Sequence, residues 1–434
     1  MFLFASLPTW GSIRRRAMLA VALLSVVAPG WSATPLSFDE ALRLATERAP
    51  ALQARHAQTD AAREDAARAA ALPDPRLTLG VVNLPVTGAD AWGRRADDMT
   101  MRQVGVMQEF PARAKRQARQ ALADRAVEQV QALAVAERLE VRQSTAEAWL
   151  ALWARQREVA ALRAQREPSA LAVRIAKARL AGGTGTATDA LAVQSAALAL
   201  ENRIDEAEAT VEAARSGLAR WLGVDPDGIT VADAPPDLTA LPVDEATLLA
   251  SVDRQGPLLA WRTRESLAEA NVSAAVAEQR PDWSGSAMYG RRERAPGGLS
   301  RSDMLSIEVS IGLPLFARNR QDRDIAARRA EQAAVVAEHE DARRTQRDEV
   351  RRALAEWNGL KRQIARQEQQ ALPLAHDRTQ VALAAYRGGG ALQPWLDARR
   401  DALDLYIEHA RLMGELGRAW VALAYLLPDE ETQP

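Results

Sequence analysis

"MLSIEVSIGLPLF", from Met304 to Phe316, decides how the rest of the chain is read. Leu305, Ile307, Val309, Ile311 and Leu313 are apolar, and Ser306, Glu308, Ser310 and Gly312 alternate with them. A strict period of two marks a strand with one apolar and one polar face. Its surroundings are rich in Ala, Arg, Glu and Gln in helical arrangement. Three further stretches alternate in the same way. "RLTLGVVNL" (76–84) places Leu77, Leu79 and Val81 on one face. "MTMRQVGVMQEF" (99–110) places Val104, Val106 and Phe110 together, although Arg102 and Gln108 interrupt that face. "DWSGSAMYG" (282–290) opens with Trp283. Polar, glycine-containing segments join 76–84 to 99–110 and 282–290 to 304–313.

The chain of 434 residues is 26% charged with a formal net charge of −1, which argues against a nucleic-acid binder needing a basic face. Residues 1–32 read as an export signal: Arg14, Arg15 and Arg16 precede the apolar run "AMLAVALLSVVA" and a small-residue cleavage pattern. The run is too short to span a bilayer. No cysteine occurs, which removes disulfides, thiolate metal sites and a lipidated N-terminal cysteine.

The chain is written twice. "LARWLG" (218–223) aligns with "LAYLLP" (423–428) at an offset of 205, and Pro168 with Pro373, Gly183 with Gly388 and Asp39-Glu40-Ala41 with Asp244-Glu245-Ala246 at the same offset. The expected repeats are 33–230 and 231–434. Each carries two strands and then a helix-forming run, 112–180 and 318–386, stopped from joining the sheet by Pro111 and Pro314. At 1.5 Å per residue each run would reach roughly 100 Å, so it must pack along its length against other helices. Pro168 and Pro373 should kink both. Glycine-rich turns follow, with Gly182, Gly183 and Gly185 in one and Gly388, Gly389 and Gly390 in the other. A returning helix closes each repeat.

Four one-sided strands cannot lie alone in lipid, because open edges leave backbone groups unpaired. They are also too few for a barrel. An exported chain with four such strands must pool them with other copies. The lipid-facing set is then Leu77, Leu79, Val81, Val104, Val106, Trp283, Leu305, Ile307, Val309 and Ile311. The fold class expected is mainly α with a small β part: long antiparallel helices plus four membrane strands per chain. The alternative is a soluble helical adaptor or scaffold whose small sheet covers one apolar surface.

The arrangement resembles the TolC-like outer-membrane efflux proteins. The likeness runs from "LSFDEALRLATERAPAL" to "LAYLLP" and includes "QEFPARAKRQAR", "GLPLFARNR" and "AYRGGG". Ala114 stands where the family often has glycine. The resemblance implies a homotrimer whose strands form a twelve-stranded barrel in the outer membrane. Its helices would continue as a hollow α-barrel across the periplasm. It also implies a passive exit duct working with a periplasmic adaptor and an inner-membrane RND-type pump. "LPLFARNR" resembles the branch that exports cobalt–zinc–cadmium or copper–silver ions, while exporters of organic compounds carry related phrases.

Catalysis is not expected. His56, His339, His376 and His409 are scattered without metal-ligand spacing, and "AGGTGTATD" lacks the lysine of a phosphate loop. No cofactor or resident metal is implied. The residues that matter lie past the glycine turns. Thr188 and Asp189 suit a cap on the returning helix. By the family resemblance Asp397 sits where three symmetry copies would form a carboxylate ring. Arg387, Arg399 and Arg400 stand ready to pair with these acids.

Overall fold

The computed structural model describes residues 35–428 except Ala96; the expected export signal lies outside the described residues. Helices α1 (Phe38–Arg48) and α2 (Pro50–Ala69) lead into strands β1 (Arg76–Val82) and β2 (Met101–Phe110). The long helix α3 (Arg113–Ala164) follows, then α4 (Arg166–Ala181) and the returning α5 (Ala187–Leu222). After α6 (Glu245–Ala250) and α7 (Trp261–Ala277) come β3 (Trp283–Arg292) and β4 (Met304–Ile311). The chain closes with α8 (Gln321–Arg366), α9 (Leu372–Arg387) and the returning α10 (Gln393–Ala424). Among the described residues no helix is long and apolar enough to cross a membrane.

The strands form one antiparallel sheet in the order β1-β2-β3-β4. The inner strands are 10 residues each, and the edge strands β1 and β4 only 7 and 8. Both edges fall short of the stretches read from sequence. β1 stops where Asn83 takes a positive φ of 56°, and its side-chain amide donates to Met99 O across the hairpin. β4 stops before Gly312. An edge strand has a hydrogen-bonded partner on one side only, which makes it the first to fray.

Prolines 168 and 373 interrupt the long helices, and each interruption takes a different form. Proline lacks an amide and crowds the carbonyl four residues back. For Pro168 that carbonyl belongs to Ala164, where α3 ends; Gln165 closes a tight turn on Leu162 and α4 begins at once. For Pro373 it belongs to Gln369, inside a widened π-helical stretch, Gln367–Ala371, that joins α8 to α9. The expected kinks are therefore a break in one case and a π-bulge in the other.

The main core lies midway along the helices and is fastened by tryptophans. Trp149 is fully buried and packs edge-on against Phe38, with ring centroids 5.3 Å apart. Its indole N–H donates to Leu36 O, while Trp153 donates to Asp233 O, Trp357 to Leu238 O and Trp420 to Ala240 O. Each ring fills the core while its one polar atom satisfies a carbonyl of the connecting segments wrapped around it. Leu36 also bridges Val231 as a short parallel pair.

A charge cluster sets the junction of sheet and helix. Asp282, just ahead of β3, accepts from the Ala112 amide at 2.9 Å and from Lys115 Nζ at 2.7 Å, so it caps the start of α3. Lys115 is buried and also pairs with Glu278 at 3.2 Å. Burial opposes ionisation of Asp282, but the Lys115 ammonium and the Ala112 amide outweigh it and hold the carboxyl below its ordinary range. A lowered carboxyl contributes stability above its unfolded pKa, about 3.9, and loses it as pH falls through the lower folded value. The melting temperature of Asp282→Asn should therefore lie below that of the parent at neutral pH, with the gap closing below about pH 4. A gap that stays constant to low pH would remove this carboxylate from the junction.

Candidate functional site: the sheet face and the helix turns

Register places every expected strand residue on one face. Leu77 pairs with Val106, Val106 with Ala287, and Ala287 with Ile307. One row on, Leu79, Val104, Tyr289 and Leu305 are aligned. Directly paired residues point the same way, so Val81, Trp283, Val309 and Ile311 share this face. All of the expected set are exposed, from 43% at Val104 to 76% at Ile307. The opposite face carries Thr78, Gln103, Glu109, Ser286, Ser306 and Glu308. Phe110 and Trp283 close the apolar band at the helix end, and Tyr289 lies toward the loops.

A contiguous exposed apolar face of this extent marks a surface that is covered in the working molecule. Among the described residues no helix packs on it, and its edges β1 and β4 have no further strand to pair with.

At the far end of the helices the two glycine turns are built alike. Gly183 adopts φ +71° and Gly389 φ +102°, the left-handed region open to glycine. A side chain at Gly390 would strike Ala385 O at 2.9 Å, and one at Gly185 would strike Arg179 Cβ at 2.9 Å. The returning helix α5 is capped by Thr186, whose hydroxyl accepts from the Asp189 amide at 3.0 Å. The cap expected of Thr188 or Asp189 therefore belongs to Thr186, two and three positions earlier. Asp189 keeps the helix-end role of an acid in the first turn, and Thr188 is exposed. Helix α10 has no side-chain cap and starts with Pro394 in its first turn.

Sequence reasoning missed the residue that joins the two turns. Arg179, in the last turn of α4, donates to Tyr386 O at 2.8 Å, Gly390 O at 3.1 Å and Thr184 O at 3.3 Å. Its guanidinium also lies 4.5 Å from the Tyr386 ring centroid. One cation thus satisfies carbonyls from both helix ends, where unpaired C=O groups concentrate. Tyr386 is fully buried; burial raises its phenol pKa, nearby Arg179 opposes the rise and Asp189 adds to it. In sequence Arg179 is only a basic residue at the end of a helix, which does not distinguish it from Arg387.

The acids and arginines expected to pair do so only in part. Asp397 accepts from Gln393 Nε2 at 3.0 Å and pairs with Arg400 at 3.4 Å. Arg387 is exposed and makes no ion pair among the described residues, so its expected pairing is not formed within the chain. Arg399 is 4% exposed, lies over the Trp395 ring at 5.3 Å, and none of its three nitrogens has a hydrogen-bond partner. Burial alone lowers its pKa to about 10, which leaves it cationic at neutral pH. The expected Arg399–carboxylate pair is absent because the side chain turns into the bundle core. His339 likewise serves packing, stacked on Trp261 and bound through Nδ1 to Glu265 at 2.7 Å.

Comparison with known proteins agrees with this geometry. Residues 253–427 match the family model described as "Outer membrane efflux protein". Among solved structures, a membrane protein from Pseudomonas aeruginosa superposes with a TM-score of 0.76 at 20% identity, covering 92% of this chain and 91% of that one. The outer membrane protein VceC from Vibrio cholerae gives 0.72 at 20% identity, covering 90% and 97%. CusC, whose structures describe transmembrane channel formation, gives 0.71 at 16% identity, covering 90% and 92%. None of the curated proteins matches the chain significantly. The fold is that of these outer-membrane proteins. The second half of the chain matches the efflux-protein family model, and the described residues have the fold of these channels.

A buried charge without partners costs stability, and an apolar side chain of similar volume in its place is often stabilising. Arg399→Leu should therefore raise the melting temperature. A fall of several degrees would reveal a counter-charge that the chain supplies to Arg399.

Proposed function

We propose that the chain is one subunit of a homotrimeric exit duct in the outer membrane, built from the two repeats 33–230 and 231–434 after removal of the export signal. The observation that carries this reading is the sheet: an apolar face with nothing on it and two free edges. Because four antiparallel strands alternate in direction, β4 of one copy runs antiparallel to β1 of the next. Copies therefore join without a break in the pattern. Three of them give twelve strands, with the apolar faces toward lipid and the serine-rich faces toward an aqueous lumen. The helices then extend into the periplasm, where α3 and α8 supply most of the length.

The duct is passive: it offers a lumen and supplies no energy. A periplasmic adaptor and an inner-membrane RND-type pump deliver the cargo. Heavy-metal cations are the cargo class that "GLPLFARNR" supports; a deletion strain sensitive only to organic toxicants would assign the duct to those compounds. The glycine turns form the periplasmic mouth. Asp397 in three copies makes a carboxylate ring there, with Asp189, Thr188 and Arg387 around it.

Two variants one residue apart test the membrane reading. Ile307→Arg places a cation against lipid, at a cost of about 2–4 kcal/mol per copy near the bilayer midplane, and should abolish heat-sensitive trimers in the outer membrane. Ser306→Arg, on the lumen face, should assemble normally. Equal tolerance of both, or a soluble monomer in the periplasm, contradicts the duct. For the mouth, Asp397→Ala should raise leakage through planar bilayers and lower cation selectivity. Unchanged conductance and selectivity remove Asp397 from that role.

A further inference from the structure

Arg102 breaks the apolar alternation of β2, and the structure shows that it does not do so alone. It pairs across the sheet with Arg291 of β3, and both point to the apolar face, one row beyond Val104 and Tyr289. Eight residues separate this row from Phe110 and Trp283 at the other end of the band. That is about 27 Å along a strand, or roughly 20 Å of height at a barrel tilt of about 40°. The two arginines thus stand where the apolar band gives way to the outer headgroup layer.

The loops above them share the chemistry. Segments 83–103 and 289–303 hold seven arginines against five acids, so the rim is positive. Part of that charge is internal. Arg301 pairs with Asp98 and donates to Arg95 O at 3.0 Å; Arg292 donates to Asp98 O at 3.2 Å. These two brace one loop against the other. Arg102 pairs with Glu293, and Asp303 accepts from Tyr289. Arg94, Arg95, Arg291 and Arg294 remain exposed and make no ion pair among the described residues. Beside them Trp92 and Leu299 are 71% and 75% exposed. Exposed arginines interleaved with an indole and an aliphatic side chain suit the boundary of headgroup and acyl chain. Guanidinium groups also recognise phosphate oxygens in pairs.

We propose that this rim binds the phosphorylated headgroups of the outer-leaflet glycolipid, with Arg102 and Arg291 as the lipid-side contacts and the loop arginines above them. The inference rests on the outer-membrane reading and names the lipid that the barrel prefers. Basic residues at a surface each strengthen binding to anionic lipid, and the geometry supplies two at one depth.

The test uses the full-length protein, purified in detergent. It is titrated with bisphosphorylated lipid A, with the same lipid after phosphate removal, and with inorganic phosphate, and bound lipid is counted by native mass spectrometry. Lipid A should bind, dephosphorylated lipid far less, and free phosphate not at matching concentration. The double variant Arg102→Gln/Arg291→Gln should weaken lipid A binding roughly thirtyfold while leaving the trimer intact. Glu293→Gln, which breaks the same ion pair but keeps both cations, should bind at least as well as the parent. Equal binding of phosphorylated and dephosphorylated lipid, or no loss in the double variant, overturns the proposal and leaves the duct standing. A protein that enters no bilayer of any composition overturns both.

Discussion

Backbone hydrogen bonding at the two edges of a four-stranded sheet governs this molecule. Among the described residues β1 and β4 each present a row of N–H and C=O groups with no strand beyond them, on a sheet with one apolar face. Water can satisfy those groups and lipid cannot, so if the apolar face meets lipid, open edges are incompatible with a single copy. The conflict is removed if β4 of one subunit pairs with β1 of another. The shortness of both edge strands, against full ten-residue inner strands, is what a sheet lacking its neighbours shows.

Everything beneath the sheet serves to hold it in place. Asp282 and Lys115 fasten β3 to the start of α3, and the tryptophan-centred core ties α3, α8 and α10 to the segments that wrap them. At the far end the chain is less well satisfied. Tyr386 Oη and all three Arg399 nitrogens are buried there without hydrogen-bond partners.

The strands were legible because alternation of period two is a strong local signal: Leu305 through Ile311 can be placed on one face without knowing what lies beside them. The glycine turns were legible for the same reason, since Gly183 and Gly389 take conformations that few other residues adopt. What sequence could not supply were relations between distant segments. Arg179 and Tyr386 are far apart in the chain, and no local pattern marks the arginine that crosses to carbonyls of the other turn. Thr186, Thr188 and Asp189 are all cap-forming residues, and only the place where the helix begins selects Thr186. Arg399 and Arg400 are adjacent and chemically identical, yet one faces Trp395 in the core and the other pairs with Asp397. Helical phase decides between them, and a glycine-rich turn of uncertain length hides that phase.

The natural chain has no cysteine, which makes disulfide trapping a direct test of the shared sheet. Within one copy β1 and β4 lie three strand spacings apart, about 14 Å, and a disulfide needs Cα atoms within about 7 Å. A bond between them can therefore form only across subunits. Thr78→Cys on β1 is combined in turn with Ser306→Cys, Glu308→Cys or Ser310→Cys on the same face of β4. After mild oxidation in the membrane, at least one pairing should run on a denaturing gel as covalent dimers and trimers and nothing larger. Monomers alone in every pairing, or an open-ended ladder, would contradict a barrel closed by three copies.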